Sequence, residues 1–371
     1  MDYRLLGEGI MVNQRSYDKL AEVEAIIFDC DGTLIDSTES YYLADRIAAC
    51  IILEKLYGLR CSLGRDVNEV LARLEMLGGF NNDWNKTSLI TQAIIMKVDE
   101  PVERITDDIT EIDDMNVYLG KCMVEVSSPG YVLDGLRWLS DKTSQAYGGL
   151  MWLRDFEELI DAEAEMLGRL MRVRELRSIL GPLTRYGSGL LTTLYDEVYL
   201  GIDGVKERYG VEPRYVSWEG LLERERPLIT EDVLARLSEG VPRGIAIATG
   251  RGRWETEKAL GGLINYFNLE ASIFAAEVPD RYEKPDPGLL VECSRRLGVE
   301  RIMYVGNSLE DLILVENARR NGLNALFTGV LTNPYALEVF IRRGADAIID
   351  DINLLPRLIE KEKEETFWKP F

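Results

Sequence analysis

Six short apolar runs rich in β-branched residues set the frame of this chain: EAIIFD at 24–29, GIAIAT at 244–249, SIFAA at 272–276, IMYVG at 302–306, ALFTG at 325–329 and AIID at 347–350. Runs of this length with little polar alternation are expected to be strands covered on both faces, as in a parallel sheet. Between the later runs, WETEKALGGLI and PGLLVECSRRLG repeat their apolar residues at helical spacing, and the second ends in Gly298, which suits a helix C-terminus. Strand alternating with helix predicts an α/β domain with a parallel sheet and right-handed crossovers. In such sheets ligands bind beyond the carboxyl ends of the strands, where Asp29, Thr249 and Gly306 fall.

The strand rhythm stops between about Asp36 and Pro227, a gap far too long for a loop. YYLADRIAACIILEKLYG and WLRDFEELIDAEAEMLGRLMRVRELRSIL within it carry apolar residues at helical spacing with charges between them. The chain is therefore expected to hold an α/β core built from residues 1–37 and 228–371. A mostly helical domain, residues 38–227, is inserted between the two halves. Both ends of the insert join beside the first strand's exit, so it is expected to stand over that exit. The acidic stretch VDEPVERITDDITEIDDMN at 98–116 reads as a solvated linker inside the insert.

Composition removes several function classes. The 371 residues contain no histidine, which excludes Ser-His and Cys-His catalysis, histidine zinc sites and histidine general bases. Chemistry must then run on carboxylates, lysine, hydroxyls or a hard metal ion. A formal net charge of -21 argues against nucleic acid as a partner, since phosphate backbones demand basic surfaces. No apolar run is long enough to cross a membrane, and the N-terminus lacks the basic-then-apolar order of a signal peptide. Five scattered cysteines without a CxxC pair are expected to be reduced thiols, and the protein is expected to be cytoplasmic. Its oligomeric state leaves no mark on the sequence.

The stretch IIFDCDGTLIDS, 26–37, runs straight into two aspartates, Asp29 and Asp31. Like charges that close are unfavourable unless compensated. Two carboxylates one residue apart on an extended exit suit a hard cation such as Mg²⁺. They also suit a division of labour between nucleophile and proton donor. Cys30 between them is expected to point the other way, into the core. On these residues alone, an ordinary Asp-rich turn after a strand stays open.

DCDGTLIDS resembles the first motif of the haloacid dehalogenase superfamily, in which a DxDGT segment supplies an aspartyl nucleophile. The remaining motifs follow in that family's order: IAIATGR resembles the second, YEKPDP the third and MYVGNSLEDLILVENAR the fourth. The resemblance covers about residues 22–37 and 228–360. It implies a Rossmann-like parallel-sheet core with a helical cap between motifs one and two. It implies Asp29 as nucleophile, Asp31 as general acid and then base, Thr249 as a phosphoryl hydrogen-bond donor and Lys284 as the cation beside Asp29. Gly250 and Arg251, next to Thr249, would assist phosphate binding. Mg²⁺ would lie between Asp29, the Asp31 backbone carbonyl and the fourth-motif turn. There Asn307 stands where the family commonly has an acid, and Asp311 is expected to approach the metal directly or through water. Separately, Lys284 also reads as a surface lysine before a proline, Thr249 as a strand-end hydroxyl and Asp311 as a helix N-terminal acid.

An aspartate at 31 favours phosphate esters over dehalogenation, because an alkoxide needs a proton on leaving and a halide does not. The resemblance thus implies a Mg²⁺-dependent phosphatase for a small phosphorylated metabolite. The alternatives are a phosphomutase on the same core, or a weakened binding protein in which Asn307 marks a lost metal. In the insert, LGGFNNDWNKTSLI at 77–90 offers Asn82 and Trp84 as substrate contacts. The competing reading is an inter-helix loop anchored by Phe80 and Trp84.

Overall fold

The computed structural model describes residues 2–360 except 81, 107, 110, 111, 113, 124–127, 147, 148 and 279–281. Two compact units divide the chain: Met1–Ser37 with Glu225–Phe371, and Thr38–Arg224.

The second unit is helical: α1 (Tyr41–Tyr57), α2 (Val67–Glu75), α3 (Asp83–Lys97), α4 (Met115–Met123), α5 (Gly130–Ala146), α6 (Leu153–Met166), α7 (Leu170–Leu180) and α8 (Leu190–Tyr209). Its centre is α3, which packs against α1, α5, α6, α7 and α8. Every residue from Lys86 to Met96 is buried because helices pack on every side of it, and its polar members are hydrogen-bonded there, as Lys86 to Glu75 and Thr87 to Asp45.

The first unit holds an eight-stranded sheet. Its strands are β1 (Tyr3–Leu5), β2 (Ile10–Asn13), β3 (Ala25–Phe28), β6 (Ile245–Thr249), β7 (Ile273–Phe274), β8 (Arg301–Gly306), β9 (Asn324–Val330) and β10 (Ala347–Ile349), in the order β1-β2-β10-β9-β8-β3-β6-β7. A separate two-stranded ribbon pairs β4 (Ile35–Asp36) with β5 (Arg226–Pro227), where the chain leaves this unit and returns to it. All six apolar runs lie in the sheet, and they pair in parallel. Strands β1 and β2 were not foreseen. YRL and IMVN are too short to announce themselves, and only the Gly-Glu-Gly between them signals the antiparallel turn that joins them to the β10 edge.

The helices of this unit are α9 (Glu231–Gly240), α10 (Arg253–Leu260), α11 (Gly288–Leu297), α12 (Leu309–Arg320), α13 (Ala336–Arg343) and α14 (Leu355–Glu360). Helix α11 ends at Gly298 in the left-handed conformation, as its sequence predicts. Ile26, Ile27 and Phe28 of β3 are wholly buried, so the strand is covered on both faces. Strand order turns around at β3: the chain continues to β6 and β7 on one side and to β8, β9 and β10 on the other. That reversal opens a crevice at the carboxyl end of β3, where Asp29 follows. Among the described residues, no helix is long and apolar enough to cross a membrane.

Candidate active site

Beyond β3 the chain is wound by a single acceptor. The Cys30 carbonyl receives the N–H groups of Thr33, Leu34 and Ile35 at 3.1, 2.8 and 3.0 Å, while the Asp29 N–H donates to Val305 O at 2.9 Å. The result is a tight turn through Gly32, whose φ of 67° is in the left-handed region. A Cβ on Gly32 would run into the side-chain amide of Asn307, so glycine here also lets the fourth-motif turn approach the first. Cys30 is buried, its sulfur 3.8 Å from Thr256 Oγ1, and burial pushes its thiol up. It points away from the aspartates, as the alternation along a strand predicts.

Asp29 is buried, and Lys284 Nζ lies 2.6 Å from its Oδ1 and 2.7 Å from Asp311 Oδ1. Burial pushes the Asp29 carboxyl up to about 7 against the pull of the Lys284 ammonium. Burial alone would lower the Lys284 ammonium, but the two carboxylates outweigh it and hold the group well above its ordinary value. The lysine is therefore a fixed cation, not a surface residue.

Asp311 is bound into the fourth-motif turn and to the lysine. Its Oδ2 accepts from Asn307 N at 3.1 Å, Ser308 N at 3.0 Å and Ser308 Oγ at 2.8 Å. Its Oδ1 accepts from Lys284, and from Tyr304, whose hydroxyl proton is shared with the Ala248 carbonyl. Ser308 in turn caps α12 by accepting from Asp311 N, a reciprocal capping box. Through these donors the carboxylate holds Lys284 and closes the turn. The capping signature Ser-x-x-Asp was legible in the sequence; the donors from Tyr304 and Lys284 were not.

Thr249 ends β6, buried, with its Oγ1 accepting from Arg251 N at 3.2 Å, which leaves the hydroxyl proton to donate elsewhere. Gly250 follows it, exposed. Arg251, expected to face phosphate, turns instead to carboxylates. Its Nη1 donates to Asp31 Oδ1 at 2.7 Å and to Glu225 Oε1 at 3.2 Å, and its Nη2 to Glu225 Oε2. Glu225, next to β5, was not singled out, and nothing local to it marks it. Asn82 and Trp84 belong to the helical unit. Asn82 caps α3 by accepting from Trp84 N at 2.9 Å, and Trp84 Nε1 donates to Asp196 Oδ1 at 2.8 Å. Phe80 packs edge-on against Phe156.

Among the described residues, no three acidic or cysteine side chains converge in a metal cage. Mg²⁺ does not require one, since water and substrate oxygens commonly complete its shell. The Asp29 carboxylate and the Asn307 side-chain oxygen are hard donors on turns that approach each other at Gly32. This donor set fits Mg²⁺, with a single full negative charge from protein side chains.

The sequence model of a haloacid dehalogenase-like hydrolase family matches residues 23–319. The fold resembles the X-ray structure of structural-genomics target ZR25 at 16% identity and TM-score 0.56, over 91% of this chain and 99% of that one. It also resembles phosphatase Tt82 from Thermococcus thioreducens at 20% identity and TM-score 0.50, over 91% and 100%. No curated protein sequence matches. The family match runs through all four motifs, from the turn of Asp29 to the helix of Asp311, and the chain belongs to the haloacid dehalogenase-like hydrolases.

Proposed function

We propose that this hydrolase is a Mg²⁺-dependent phosphomonoesterase acting on a small phosphorylated metabolite through an aspartyl-phosphate on Asp29. The observation that carries this reading is the buried Lys284, 2.6 Å from Asp29 and held from behind by Asp311. A nucleophilic carboxylate facing phosphate needs a permanent positive charge where water is scarce, and this one cannot turn away. Asp29 attacks phosphorus; Asp31, two residues on and still partly open to solvent, protonates the departing alkoxide and then takes a proton from water. The Thr249 hydroxyl donates to a phosphoryl oxygen. Asp29 Oδ2, the Asp31 carbonyl and the Asn307 amide oxygen would hold Mg²⁺, which would supply positive charge against the phosphate.

The test is phosphate release from a panel of small monoesters with and without Mg²⁺. Net, metal-dependent release is expected; transfer between hydroxyls without net release would mean a mutase, and the absence of both release and transfer would overturn the reading. In the same assay Asn307→Asp, which adds a charge to the donor set, is expected to lower the Mg²⁺ concentration for half-maximal rate by on the order of tenfold.

Arg251 enters this chemistry as a positioning residue, because it holds the Asp31 carboxylate in one orientation. Arg251→Met is made together with Glu225→Gln, so that no buried carboxylate is stranded. The pair is expected to slow hydrolysis of alkyl phosphates by about 10²-fold, and of p-nitrophenyl phosphate, whose leaving group needs no proton, only a few-fold. Equal losses on both esters would reduce Arg251 to a structural role.

A further inference from the structure

The helical unit holds three of the five cysteines, all buried: Cys50 on α1, Cys61 just beyond it and Cys122 on α4. Local geometry explains how. Helix α1 ends at Gly58, whose φ of 65° lets Gly58 N donate to Glu54 O and Leu59 N to Leu53 O, a turn that sends the chain back along the helix. Cys50 lies eight residues before that glycine, about 12 Å of helix, and three extended residues reach back about 10 Å.

The returning segment is fastened on every side. Cys61 N donates to Glu54 Oε1 at 3.2 Å, and Lys121 Nζ holds both oxygens of the same Glu54 at 2.8 and 2.6 Å. Ser62 Oγ donates to Lys121 O at 2.7 Å, and Tyr131 Oη to Arg60 O at 2.6 Å. These anchors hold Cys61 Sγ 2.6 Å from Cys50 Sγ, well inside the contact distance of two unbonded sulfurs. Cys122 is buried as well.

We propose that Cys50 and Cys61 are a disulfide-forming pair that staples the C-terminal half of α1 to the segment after it, with Cys122 remaining a thiol. In the step, the two thiols lose two protons and two electrons as the S–S bond forms. A low-molecular-weight disulfide takes them up through a mixed disulfide and leaves as two thiols. The expectation of five reduced cysteines then holds only under reducing conditions.

The experiment incubates the full chain with oxidised glutathione, denatures it in iodoacetamide and maps tryptic peptides without reductant; Lys55 and Arg60 allow cleavage between the two cysteines. Three alkylated cysteines and a linked Cys50–Cys61 peptide pair are expected, together with a Tm about 5 °C above that of the dithiothreitol-treated protein. Cys61→Ser is expected to remove the reductant dependence of Tm, while Cys293→Ser retains it. Five alkylated cysteines, or a Cys50–Cys122 linkage, would overturn the proposal. Neither result depends on the phosphatase reading.

Discussion

Asp29→Asn is expected to abolish metal-dependent phosphate release, by about 10⁴-fold or more, as removal of a covalent nucleophile does. The substitution keeps the shape of the side chain and a carbonyl oxygen for Lys284, so the loss is not one of folding. Its effect on stability should have the opposite sign and depend on pH. Burial pushes the Asp29 carboxyl up to about 7, from an ordinary value of 3.8. The folded state therefore holds the proton more tightly than the unfolded one. That contribution is fully present below about pH 4 and is lost as pH rises through 7. In EDTA, the stability of the Asn variant relative to wild type should rise by about 2.5 kcal/mol between pH 5 and pH 8 in urea unfolding. A variant that is inactive and also less stable at both pH values would mean that Asp29 is chiefly structural.

Lys284→Met is expected to cost both activity and fold. It leaves Asp29 and Asp311 buried without the cation that lies 2.6 and 2.7 Å from them. Stranding buried carboxylates costs about 3–5 kcal/mol, so Tm should fall by about 10 °C. Turnover should fall by about 10³-fold through loss of the charge that faces the reacting phosphate. Adding Asp311→Asn separates the two effects, since it removes one of the stranded charges. The double variant should recover much of the stability and none of the activity. Recovery of both would show that Lys284 serves the fold alone.

The reach of the sequence differs from residue to residue. Asp29, Asp31 and Thr249 stand at the ends of strands whose apolar runs are local patterns, so their place at the sheet's carboxyl edge was legible. Lys284 was legible only from its motif, because what makes it a fixed cation is a pair of carboxylates 255 and 27 residues away. Asp311 shows the limit most clearly. An acid four residues after Asn307 reads equally as metal ligand or helix cap, and the choice depends on which donors arrive. Ser308 comes from the same turn, but Tyr304 and Lys284 come from a strand and a distant loop. Arg251 likewise reads as a phosphate ligand until Glu225, on the returning ribbon, claims its guanidinium.

By itself, then, the sequence determined the parallel α/β core, the long helical insertion and the pair of aspartates at the end of β3. Periodicity and motif order are carried by neighbours along the chain, and the absence of histidine is a property of composition. Only the tertiary structure decided that Asp311 braces Lys284, that Arg251 steers Asp31, and that Cys50 meets Cys61. Hydrogen bonds and ion pairs are made over about 3 Å in space, and side chains that far apart carry no common pattern in a one-dimensional code.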